Sequence, residues 1–210
     1  MSCGMKLCLE GKTTGINDVR NFRPEDLKNR DGRIYNNTQA TDINTYEKTI
    51  TAKNVKTGET VKFPYDKLII SIGVNPAKLD LPGVDLKNIY LMRGFDWAEK
   101  INGAQYDENI KNVAVIGAGN GIAAAEVMAK AGKNVTLIDT DSTPLENYLN
   151  DVYTDEFENE LRKNGVNLAM NTKVEGFSGD DKVERLRQAM VKLPLTVLLS
   201  LLVLRQIRIG

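Results

Sequence analysis

The chain has 210 residues, 41% hydrophobic and 27% charged, a composition suited to one large or two small globular domains. Lysine plus arginine and aspartate plus glutamate each number 28, so no charge excess points to nucleic acid or a membrane surface as partner. The lack of histidine removes the commonest general base and metal ligand, and two cysteines are too few for a disulfide framework.

The N-terminus carries no charged segment followed by an apolar one, so no signal peptide is expected, and the context reads as cytoplasmic and reducing. Cys3 lies in a small-residue setting, Ser2-Cys3-Gly4, and Cys8 follows at a C-x4-C spacing. A cysteine at a helix N-terminus is a good nucleophile. A small buried side chain without special reactivity is the equal alternative. Residues 5–11 are too few to assign alone.

From Ile34 to Lys62 polar and β-branched residues alternate, with a turn at Lys56-Thr57-Gly58-Glu59. This predicts a hairpin or meander with one wet face. Leu68-Ile69-Ile70 is a short apolar run before Gly73, the pattern of a buried strand. Ser71, Ile72, Gly73 and Val74 after it offer a backbone cradle for a phosphate or flavin, or a simple strand-ending turn. Pro76, Pro82 and Gly83 break the chain, and residues 88–101 read as a strand end entering a helix. Arg93 in that stretch is either an anion ligand or an ordinary exposed arginine.

The second half is more explicit. Val113–Ile116 predicts a strand, Ala123–Lys130 a helix with Gly132 as its C-terminal glycine, and Val135–Ile138 a second strand ending at Asp139. That is a βαβ unit with parallel strands. Gly117, Gly119 and Gly121 stand between strand and helix. In a dinucleotide site the first glycine makes the turn, the second admits the pyrophosphate and the third allows close helix–strand packing. Asp139 stands 20 residues beyond Gly119, where a carboxylate accepts from the ribose 2′-hydroxyl and favours NAD over NADP. The spacing is G-x-G-x-G, one residue shorter than usual, and a purely structural glycine turn is the alternative. Tyr148 is a packing residue or a ligand contact. Residues 155–170 predict an amphipathic helix ending at Gly165, then a strand, and residues 173–184 open an antiparallel excursion. The segment 193–204 is apolar but for Pro194, Thr196 and Ser200, too short to span a bilayer as a helix and without an evident partner strand.

Together these segments resemble the flavin-dependent NADH peroxidases and NADH oxidases, within the pyridine nucleotide–disulfide oxidoreductases. The resemblance runs from Ser2 to about Glu184 on four stretches: "SCGMKLCLEGK", "YDKLIISIGVNP", "LPGVDLKNIYLMRGFDWA" and "VAVIGAGNGIAAAEVMAKAGKNVTLID". It implies an α/β fold: an incomplete FAD-binding domain with a β-meander over residues 1–111, and a Rossmann-like NAD-binding domain, also incomplete, over 112–188. The cofactors it implies are FAD and NAD. Cys3 would be the single redox cysteine, cycling through a sulfenic acid while NADH reduces hydrogen peroxide or dioxygen. Ser71, Ile72, Gly73, Val74 and Arg93 would touch FAD; Gly117, Gly119, Gly121, Asp139 and Tyr148 would serve NAD.

The departures are specific. The family's N-terminal βαβ unit, which binds the FAD pyrophosphate, its second flavin segment and its dimerisation domain have no counterpart here, although the family forms homo-oligomers. Ala123 replaces a glutamate of the glycine helix, and Asn120 stands where an aromatic gate is common. Suitable codons for residues 190–210, read one base earlier, spell a family-like continuation. The stretch 189–210 is therefore expected to be a frameshifted tail, with a genuine buried strand as the alternative. Dithiol or coenzyme A disulfide reduction, and nucleotide binding without catalysis, are the alternative functions.

Overall fold

The computed structural model describes residues 2–15, 18, 26–27, 32–73, 79–92, 94–188, 193–194 and 197–200. They belong to two compact units, one made of Met1–Arg20 with Val74–Gly210 and the other of Asn21–Gly73. The functional boundary expected at residue 112 is thus not where the chain divides into compact pieces. The helix before it already packs into the same core as the strands after it.

The smaller unit is the expected meander. Strands β1 (Thr38–Asn44), β2 (Thr49–Asn54) and β3 (Thr60–Pro64) pair antiparallel in chain order. The turn between β2 and β3 falls at the expected place. Asn54 Oδ1 accepts from the N–H groups of Lys56 and Thr57, and Gly58 takes the positive φ of 78° that the turn needs. Tyr35 and Phe63 rings meet at 4.6 Å between centroids. Ala52 is the buried residue of these strands, so the sheet is wet over most of its area.

In this unit the buried strand expected at Leu68-Ile69-Ile70 does not form: residues 68–73 are in no strand, and Ile69, Ile70 and Ile72 are exposed by 90%, 57% and 84%. An apolar run becomes a strand only where a neighbour supplies its ladder. No described strand does so here.

The larger unit begins with α1 (Ser2–Leu9), closed by Gly11 at φ 67°, with Gly11 N–H on Cys8 C=O and Lys12 N–H on Leu7 C=O. Its parallel sheet has five strands: β4 (Ile89–Leu91), β5 (Asn112–Ile116), β6 (Asn134–Ile138), β7 (Val166–Ala169) and β11 (Val197–Ser200). Their order across the sheet is β4-β11-β5-β6-β7. Helices α2 (Phe95–Tyr106), α3 (Ile122–Lys130) and α4 (Asp151–Lys163) connect them. A smaller antiparallel sheet joins β8 (Val174–Ser178), β9 (Arg185–Gln188) and β10 (Leu193–Pro194).

Alternation along β5 explains the layers. Val113 and Val115 point into a core with Leu9, Ile101, Met128 and Leu161 from the four helices. Ala114 points the other way, into a core with Phe177, Val183 and Leu186 from around the antiparallel sheet. The sheet is thus sandwiched between helices and β8–β9. Among the described residues no helix is long and apolar enough to cross a membrane. The segment expected to be a frameshifted tail lies partly outside the described residues. The described part, 193–194 and 197–200, is paired into both sheets.

Candidate functional site

The order β4-β11-β5-β6-β7 makes β5 the strand from which the chain runs to β6 on one side, while β11 flanks it on the other. Open α/β sheets bind ligands outside the carboxyl ends of their strands at such a reversal. The glycine loop, Gly117–Gly121, leaves β5 at that point and enters α3.

Each glycine meets a different constraint. Gly117 takes φ 104° and its N–H donates to Ile138 C=O at 2.8 Å, which ties the turn to β6. A Cβ on Gly119 would meet nothing within 4 Å, so the loop is open above it. A Cβ on Gly121 would lie 2.2 Å from Gly117 O and 2.8 Å from Val115 Cγ1. Gly121 therefore does the close-packing work of the third glycine, and the shorter spacing is absorbed without losing it. Among the described residues nothing accepts from the N–H groups of Gly119, Asn120 and Gly121. They lie at the N-terminus of α3, the arrangement that suits an anionic phosphate.

The segment after β6 holds this loop from the other side. Ala118 N–H donates to Asp139 Oδ2 at 2.5 Å, and Ala118 C=O accepts from Leu145 N–H at 3.1 Å. Asp139 Oδ1 accepts from Asp141 N–H at 3.2 Å. Ser142 N–H is held by Glu146 Oε2 at 2.7 Å, and Asn147 Nδ2 donates to Asp141 Oδ2 at 3.1 Å. Burial raises the Asp141 carboxyl above its ordinary value, and the charges of Asp139 and Glu146 push it the same way. Tyr148 follows in this segment and is 80% exposed. Asp141, Glu146 and Leu145 were not singled out from sequence. The signal available was a second acid two residues after the strand-ending one.

The expected site residues fall into separate groups. Gly117, Gly119, Gly121 and Asp139 are gathered at one loop. Ser71, Ile72 and Gly73 are exposed, and no described strand stands behind them to form a cradle. Val74 and Arg93 lie outside the described residues. Because Ile72 faces solvent, Ile72→Ser is expected to change unfolding stability by less than about 0.5 kcal/mol. Urea unfolding checks this, since a core isoleucine would cost about 2–5 kcal/mol even as alanine.

Cys3 lies in the first turn of α1, and Cys8, five residues on in the same helix, is a buried free thiol. Residues five apart in an α-helix stand about 8.6 Å apart by its rise and radius. That exceeds the roughly 7 Å Cα separation a disulfide tolerates, so a Cys3–Cys8 bridge would require α1 to unwind.

The model of the family described as pyridine nucleotide-disulphide oxidoreductase matches residues 3–199. An NADH oxidase of Enterococcus faecalis is 35% identical over 183 residues, covering 87% of this chain and 41% of that protein. A water-forming NADH oxidase from Lactobacillus brevis, solved bound to NADH, superposes with a TM-score of 0.88 at 27% identity, over 95% of this chain and 44% of the other. An NAD-dependent persulfide reductase from A. fulgidus gives a TM-score of 0.88 at 25% identity, over 95% and 38%. The chain spans about two fifths of the length of the curated relatives it matches. A family match over nearly the whole chain and a parallel sheet with the glycine turn at its reversal agree: the chain belongs to the pyridine nucleotide-disulphide oxidoreductases.

Proposed function

We propose that this chain forms the NADH-binding part of a flavin-dependent oxidoreductase of the NADH oxidase and NADH peroxidase kind. Gly117, Gly119, Gly121, Asp139 and Tyr148 serve the coenzyme and Cys3 is the redox residue. The observation that carries the reading is the glycine loop. Gly121 is pressed against Gly117 while the loop above Gly119 is open and its N–H groups are unbonded among the described residues. A cradle of that form fits a pyrophosphate.

For FAD the described residues offer no such cradle, since Ser71, Ile72 and Gly73 are exposed. FAD is proposed on family membership alone.

The proposed chemistry at Cys3 is the first rung of thiol oxidation. The thiolate attacks hydrogen peroxide, the S–O bond forms as the O–O bond breaks, and the leaving hydroxide takes a proton to become water. Return to the thiol consumes a hydride equivalent from NADH and a proton and releases a second water. Dioxygen is the other oxidant proposed. The helical position of both cysteines favours this one-cysteine chemistry over a dithiol mechanism.

The exposure of residues 71–73 favours a second reading, nucleotide binding without turnover. Titrating the purified chain with NADH, followed by the coenzyme's fluorescence, tests the site. A flavin spectrum with and without added FAD, and trapping of a sulfenic acid at Cys3 under peroxide, test the chemistry. NADH binding is expected, and its absence overturns the proposal. NADH binding with neither flavin nor sulfenic acid supports the second reading.

A further inference from the structure

An asparagine followed by glycine is open to intramolecular imide formation, because glycine has no Cβ to keep its nitrogen from the preceding side chain. Three such pairs occur in the chain: Asn102-Gly103, Asn120-Gly121 and Asn164-Gly165. The reaction needs an asparagine side chain that is free to turn and a glycine N–H that is free to lose its proton. The fold grants these unequally.

Asn102 and Gly103 lie inside α2, where the helix ladder takes the Gly103 N–H. Asn164 stands at the C-terminal end of α4, and there both reacting groups are held. Its Nδ2 donates to Glu160 C=O at 2.7 Å, and the Gly165 N–H donates to Arg162 C=O at 3.0 Å. Asn120 differs from both. It is exposed, and its side chain has no hydrogen-bond partner among the described residues. The Gly121 N–H has no acceptor among them either. That N–H stands at the N-terminus of α3, whose positive end favours an amide nitrogen that has given up its proton.

We propose that Asn120 is a deamidation site whose product closes the phosphate cradle of which it is part. The deprotonated Gly121 nitrogen attacks Asn120 Cγ. The N–Cγ bond forms, the Cγ–Nδ2 bond breaks, and Nδ2 takes up a proton and leaves as ammonia. Water then opens the cyclic imide at either carbonyl, which leaves aspartate or its β-linked isomer at position 120. Water is the only co-reactant, and nothing is oxidised or reduced. Either product sets a carboxylate beside the N–H groups of Gly119 and Gly121, at a helix N-terminus, where anions are held. That carboxylate competes with the coenzyme pyrophosphate for the same donors. The change runs one way, so an unliganded loop loses its affinity with time, whereas a bound pyrophosphate on the Gly121 N–H protects it. The consequence for NADH rests on the nucleotide-binding reading of Gly117–Gly121; the modification itself does not.

The test is incubation of the whole chain at mildly alkaline pH, with and without NADH, followed by digestion and peptide mapping by mass spectrometry. Asn120 is expected to convert about tenfold or more faster than Asn102 or Asn164, since each of those must first give up a hydrogen bond or two. In urea, where none of these bonds remains, the three rates are expected to converge. NADH is expected to slow conversion at Asn120 alone. Asn120→Asp is expected to bind NADH about tenfold more weakly than the parent, the effect of one like charge beside the phosphates near a protein surface. Asn120→Gln has a longer side chain that closes the ring poorly. Whatever its starting affinity for NADH, it is expected to hold that affinity through the incubation while the parent's falls. Conversion at Asn120 no faster than at the other two pairs overturns the proposal. A lead that persists in urea overturns it too, since the selectivity is then not the fold's. So does a parent whose affinity holds while Asn120 converts. A parent that binds no NADH from the start overturns the nucleotide-binding reading and the consequence drawn from it, and the peptide map then decides the modification by itself.

Discussion

Replacing Gly121 with alanine is expected to destabilise the chain by about 2–4 kcal/mol and to abolish NADH binding, whereas Gly119→Ala leaves the fold intact and weakens NADH alone. The backbone at Gly121 is ordinary, φ −62° and ψ −24°, so the cost is not conformational. It comes from contact. The new methyl would lie 2.2 Å from Gly117 O and 2.8 Å from Val115 Cγ1. Neither neighbour moves cheaply. Gly117 is held to β6 through Ile138 C=O, and Val115 is fully buried in the helical core. Relief therefore requires the loop to lift away from the strand, which spoils both the packing and the N–H groups aimed at the ligand. At Gly119 a methyl would meet no protein atom within 4 Å, so it would obstruct only what approaches from outside. Urea unfolding and NADH titration of the two variants separate these effects. Equal stability of Gly121→Ala and the parent would show that helix and strand are not in that close contact.

Much of this was legible because the signals are local. The βαβ unit follows from a short β-branched strand, glycines at the turn, an alanine-rich helix and an acid at the second strand's end. Each of those residues acts on its immediate neighbours. The meander was equally plain, since the turn at Asn54–Glu59 is made by side chains within the turn itself. What escaped depends on partners distant in sequence. Leu68–Ile70 reads as a buried strand, yet a strand exists only with a ladder neighbour, and the described residues provide none. The helix α1 is too short to be stable alone, and its position follows from Leu9 reaching the core of the larger unit. At the site, spacing put Asp139 at the end of β6 but did not give what it touches. The bond to Ala118 N–H depends on how closely the two loops approach, which spacing does not encode.

The apolar C-terminal stretch has two accounts, an idle frameshifted tail and a genuine strand, and Leu199→Pro separates them. Val197–Ser200 pairs in parallel with β5 on one side and β4 on the other, with Leu199 opposite Val115 and Tyr90. A strand flanked on both sides uses each backbone N–H in one ladder or the other, and proline removes the donor and crowds the sheet. Leu199→Pro is therefore expected to cost about 3 kcal/mol or more. The loss would fall on the whole larger unit, because β11 is the only described link between β4 and β5 in the sheet. It would also remove the reversal of strand order beside which the glycine loop sits, so NADH affinity should fall with stability. An out-of-frame tail idle in the protein predicts the opposite: proline at 199 would leave both the unfolding midpoint and NADH binding where they are. The apolar character of the segment, whatever reading frame produced it, is what a central parallel strand requires. Unfolding of the proline variant measures whether that character is used.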